Sequence, residues 1–101
     1  MGKIELKSKL HQALRHVPHG DAIKSLALFG SHVNGLPNDQ SDVDVLIDFV
    51  PSATIGYFEL FDIQSHFETA VGMKIDLVTP SSISKYFREE VLGQAEVIYE
   101  K

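Results

Sequence analysis

The chain has 101 residues, 44% of them hydrophobic, which is enough to bury a core as one domain spanning 1–101. Nine Lys and Arg against 14 Asp and Glu leave a net charge of -5, and there is no strong nucleic-acid signal, because nonspecific binders carry a dense basic surface. The absence of cysteine excludes disulfides, thiolate metal sites and cysteine nucleophiles.

Residues 4–17 place Leu6, Leu10, Ala13, Leu14 and Val17 at three- and four-residue spacing, which predicts a helix ended by Pro18 and Gly20. Charges break up this N-terminal segment, so it does not read as a secretory signal. No apolar stretch approaches the roughly 20 residues that span a bilayer. The sequence is therefore expected to be cytoplasmic, with no membrane partner. Residues 24–29 (KSLALF) predict a buried strand. Gly30-Ser31 closes it and opens a short helical turn, and Pro37, Asn38 and Asp39 mark a loop.

Residues 42–49 alternate strictly. Val43, Val45, Ile47 and Phe49 face one way, and Asp42, Asp44, Leu46 and Asp48 the other, with Asp48 read as a surface residue. Residues 55–71 return to helical spacing, with Leu60, Phe61, Gln64, Phe67 and Val71 near one face and Gly72 as the cap. Tyr57, Phe58, Phe61 and Phe67 are read as core. Residues 74–79 predict a third strand. Ser81 or Ser82 then caps a helix to about residue 92, and residues 95–100 form a last strand. This order implies an α/β (α+β) fold: a small mixed β-sheet with packed helices.

The chemistry concentrates between residues 30 and 76. Glycine at position 30 allows close approach of a ligand to the backbone. A following helical turn aims N–H groups at phosphate oxygens, and the Ser31 hydroxyl adds another donor. Alone, the pair also fits an ordinary strand-to-helix turn with Ser31 as N-cap. Asp42 and Asp44, two apart on a strand, point to one face roughly 6.5–7 Å apart. That spacing suits carboxylates that share or bracket Mg²⁺, which takes few protein oxygens plus substrate phosphates. Asp76 lies between Ile75 and Leu77 and points away from the core they enter. It is the third carboxylate if the strands pair suitably. Solvated polar positions explain each Asp singly, but Asp is a poor strand residue and three in strands favour a site. The histidines His11, His16, His19, His32 and His66 show no ligand spacing and read as surface residues.

Gly30-Ser31, ten residues, Asp42-x-Asp44 and a later Asp76 resemble the DNA polymerase β-like nucleotidyltransferase superfamily, most of all its minimal nucleotidyltransferase (MNT) branch. The resemblance runs from about residue 5 to 100. It implies a nucleotidyltransferase fold, with Gly30 and Ser31 holding a nucleoside triphosphate such as ATP. Asp42 and Asp44 would bind two Mg²⁺ ions. Asp76 would hold one of them and help activate the acceptor hydroxyl. Members of this branch are commonly paired with a helical HEPN protein. In such pairs the MNT protein is an antitoxin that moves AMP from ATP to a tyrosine of the HEPN toxin. The family often has Arg before the second glycine of its turn. Here Asn34 precedes Gly35, keeping hydrogen-bonding capacity but losing a cation. The rival expectation is a non-catalytic module that binds nucleotide or toxin and neutralises its partner by covering it. Transfer to a small molecule such as an aminoglycoside is a third reading, in which a homo-oligomer would supply missing walls.

Overall fold

The computed structural model describes residues 2–29, 43–86 and 88–101. The chain runs through α1 (Lys3–Ala13), β1 (Ile23–Phe29), β2 (Val43–Phe49), α2 (Tyr57–Val71), β3 (Ile75–Val78), α3 (Arg88–Gln94) and β4 (Glu96–Glu100). The strands form one sheet in the order β3-β2-β1-β4. β1 pairs antiparallel with both β2 and β4, whereas β2 and β3 are parallel, with α2 in the connection between them. The small mixed sheet with packed helices expected from the sequence is the observed architecture.

Alternation in β2 builds the core. Val43, Val45 and Ile47 are each 0% exposed and join Leu6 and Leu10 of α1 with Ile63, Phe67 and Val71 of α2 in one cluster. β1 contributes Ile23, Leu26 and Leu28, which are out of phase for a regular strand because Ile23 and Leu26 are three apart. A register shift between Ile23 and Ser25 absorbs the extra residue and returns both side chains to the helical side. The other face is not simply polar. Leu46 and Ala27, paired across β1 and β2, are both only 6% exposed.

α1 stops at Ala13, earlier than its periodicity predicts. Leu14, Arg15 and His16 continue in tight turns, with Arg15 N–H donating to Gln12 O and His16 N–H to Ala13 O. Pro18 disfavours helical backbone at Val17, yet Val17 still reaches the core. α2 begins with Gly56 as N-cap, whose N–H donates to Glu59 Oε2 at 3.0 Å. Gly72 ends it at φ +79°, as expected, donating to Glu68 O at 2.8 Å. Gly suits that left-handed position because it has no Cβ to clash.

Two expectations need correction. No helix starts at Ser81 or Ser82. The Ser82 hydroxyl donates to Thr79 O, a short turn covers Pro80–Ser82, and Ile83 is extended, so α3 begins only at Arg88. Local side-chain bonds of this kind compete with helix. The second correction concerns α2. Ile63, Phe67 and Val71 are its buried residues, while Tyr57 is 90% exposed, Phe58 87% and Phe61 65%. Only Phe67 of the four aromatics is core. Helical spacing of 60, 63, 67 and 71 makes one stripe, and 57, 58 and 61 fall beside it.

Candidate active site

Asp44 and Asp76 are the second residues of β2 and β3, and the parallel register pairs them directly. Paired residues in neighbouring strands share a face about 4.8 Å apart. Asp76 therefore stands beside Asp44 on the side away from α1 and α2. The residues before and after them fix that orientation. Val43 and Ile75 are 0% and 1% exposed, and Val45 and Leu77 are buried too. A one-residue slip would turn both carboxylates inward and these apolar groups outward.

Two hydrogen bonds pin the start of this strand pair. Val43 N–H donates to Lys74 O at 2.9 Å, and Ile75 N–H donates to Glu68 Oε2 at 3.0 Å. The second bond ties the last turn of α2 to the residue preceding Asp76. Nothing in the sequence marks Glu68 for this task, because its partner is a backbone group brought close only by the fold. His66 was expected at the surface. Instead it is half-buried, and its Nε2 lies 2.8 Å from Ala13 O, where it acts as donor and joins α2 to the end of α1.

On the other side of Asp44 lies Phe29, the last residue of β1. Gly30 follows it in the sequence. Gly30, Ser31, Asn34 and Asp42 lie outside the described residues, as does His32. Among the described residues no group of three or more His, Cys, Asp or Glu could hold a metal. The described part of the expected site is thus the Asp44–Asp76 pair. Its donors are carboxylate oxygens, the ligand type that Mg²⁺ selects, and two adjacent acids draw a cation to their shared face. The chemistry of this pair therefore fits two of the ligands of a divalent ion.

A separate cleft of about 510 Å³ opens at the far end of the same strands, lined by Asp48, Phe49, Ile55, Tyr57, Leu60 and Thr79 among others. Asp48 is four residues from Asp44, roughly 13 Å along the strand. The cleft is therefore not the carboxylate site. Asp48 is half-buried rather than a free surface residue, and its Oδ1 accepts the Phe49 N–H at 3.0 Å.

Residues 8–101 match the family described as Polymerase beta, Nucleotidyltransferase, and the chain belongs to it. It is a nucleotidyltransferase. Among curated relatives, the protein adenylyltransferase MntA of Thermococcus cleftensis is 30% identical over 97 residues, covering 94% of this chain and 92% of its own length. A solved minimal nucleotidyltransferase superposes with a TM-score of 0.76 at 23% identity, covering 98% of this chain and 96% of that one. A tri-AMPylated Shewanella oneidensis HEPN toxin in complex with MNT antitoxin gives a TM-score of 0.68 at 18% identity, covering 98% of this chain and 73% of that one. These structures share the fold. Among the described residues no helix is long and apolar enough to cross a membrane.

Proposed function

We propose that this chain, as a single minimal domain over residues 1–101, transfers AMP from ATP to a tyrosine hydroxyl of a HEPN-type partner and so acts as an antitoxin in the cytoplasm. The observation that carries the reading is the in-register pairing of Asp44 with Asp76, next to Phe29 at the end of β1. The relative named a protein adenylyltransferase supports the reaction class, and the AMPylated toxin in complex with an MNT antitoxin supports the acceptor.

In this reading Gly30, Ser31 and Asn34 bind the triphosphate, and Asp42, Asp44 and Asp76 hold two Mg²⁺ ions. When bound, the ions supply positive charge against the phosphate oxygens. The acceptor phenol oxygen forms a bond to the α-phosphorus, and the bond to the bridging oxygen of pyrophosphate breaks. Asp76, the more exposed carboxylate of the pair, takes the phenol proton. The protein's remaining contribution is position and fixed charge. Asn34 holds phosphate by hydrogen bonding alone, without the charge an Arg would bring.

The test is labelling of the partner by ATP carrying label in the α-phosphate. Wild type should label a HEPN-type partner in Mg²⁺, and Asp44→Asn should lower the rate at least about 100-fold, as for loss of a principal electrostatic group. Undiminished Mg²⁺-dependent labelling by Asp42→Asn/Asp44→Asn would sink the assignment. Equal neutralisation of the partner by that variant, without ATP, would favour the covering module instead.

A further inference from the structure

Tyr57, Phe58 and Phe61 form a contiguous aromatic patch on the first turns of α2, completed by Leu60 and Gln64 around an open depression of about 510 Å³. Their exposures of 90%, 87% and 65% leave most of each ring in water. Large aromatic side chains bury about 150–250 Å² each, so the patch amounts to roughly 500 Å². That matches the largest patch of a typical monomer, which is often functional. It is more than half of the roughly 800 Å² that one partner gives to a standard interface.

We infer that this patch is the docking surface for the acceptor protein, and that the acceptor meets it with an apolar centre and a basic rim. The inference rests on the reading that the acceptor is a protein, and it adds where that protein sits. Three observations select the occupant. The patch lies at the opposite end of β2 from Asp44, about 13 Å or more away along the strand. It also lies on the helical side of the sheet, whereas Asp44 and Asp76 are on the other face, so a small acceptor bound there could not reach the carboxylate row; only a protein large enough to extend from α2 around the sheet can present a phenol to it. The patch is also continuous, through Tyr57 and Leu60, with the cleft at the Asp48–Phe49 end of β2.

The third observation is charge. The first turns of α2 carry Glu59 and Asp62, the helix has no Lys or Arg, and the adjoining cleft adds Asp48. Among the described residues the group that faces it from another element is His19, whose Nε2 lies 3.4 Å from Asp62 Oδ2. A second copy of this chain would set the same acidic rim against itself across a two-fold axis. A partner with Lys or Arg around an apolar helix face meets no such repulsion and gains steering.

The experiment uses as probe a purified HEPN-type helical protein, the class of acceptor proposed above. Binding is measured by calorimetry for wild type, Phe58→Ala/Phe61→Ala and Asp62→Lys. Both aromatics are exposed, so the double variant should keep the wild-type melting temperature and nucleotide affinity. It should bind the probe at least about 30-fold more weakly, the cost of losing aromatic anchors. Asp62→Lys should slow association and flatten its dependence on salt. Wild-type affinity in the double variant overturns the inference, as does failure of the wild type to bind the probe. A wild-type homodimer in sedimentation that the double variant lacks also overturns it, in favour of a second copy. Patch-dependent binding without any AMP transfer upholds the docking surface and defeats the proposed activity. Transfer with an unchanged acceptor KM in the double variant does the reverse.

Discussion

Glu68→Ala isolates the bond that holds the start of β3. Glu68 Oε2 accepts the Ile75 N–H at 3.0 Å, and Ile75 is 1% exposed, so the substitution leaves a buried donor without that acceptor. A hydrogen bond to a charged group contributes about 1.5–3 kcal/mol. Glu68 is itself only half-buried, which places the loss at the lower end, about 1.5 kcal/mol. At about 4–8 °C per kcal/mol for a chain of this size, the melting temperature should fall by about 6–12 °C. Glu68→Gln keeps an oxygen in place without the charge. Neutral bonds are about half as strong, so it should recover about half of the loss. Thermal melts and urea curves at one pH read both effects. Because Asp76 follows Ile75, Glu68→Ala should also lower the AMP-transfer kcat more than the affinity for ATP, and Glu68→Gln should restore part of it. A Glu68→Ala melt within about 2 °C of wild type, or a Gln variant no better than Ala, would refute the reasoning.

Two other outcomes follow from the same geometry. Mg²⁺ at 100 times its Kd should stabilise the wild type by about 2.7 kcal/mol, and Asp44→Asn/Asp76→Asn should abolish that shift in thermal melts; an equal shift in the double variant would place the ion elsewhere. Gly72→Ala meets no atom within 4 Å of the added Cβ, so its cost comes from φ +79° alone, about 1–2 kcal/mol in a urea titration, and an unchanged midpoint would contradict the backbone argument.

Local pattern was enough to read β2, because alternation of Val43, Val45 and Ile47 against Asp44 is a property of the strand itself. The same holds for Asp76, whose direction follows from burial of Ile75 and Leu77. Their meeting was a conditional expectation, since register between strands separated by α2 depends on how that helix packs. Hydropathy could not separate the two apolar stripes of α2: Phe67 and Phe61 have the same chemistry, and only packing shows that one is core and the other faces water. The turn at Pro80–Ser82 was missed for a related reason. Ser82 suits a helix cap, and the Thr79 carbonyl that captures its hydroxyl becomes decisive only once the chain has turned. The positions of Gly30, Ser31, Asn34 and Asp42 lie outside the described residues, so their roles rest on spacing and resemblance.

β3 ends the sheet, and its four residues read Ile-Asp-Leu-Val. The unpaired backbone of a flat apolar edge is a template on which another chain can add a strand and start an aggregate. Asp76 places a charge in the middle of that edge, where an incoming apolar strand would have to desolvate it. The carboxylate that the proposed chemistry calls for would thus also oppose strand addition at this edge. Relatives that discard catalysis would still have a reason, set by self-association rather than by nucleotide, to keep a charged residue there.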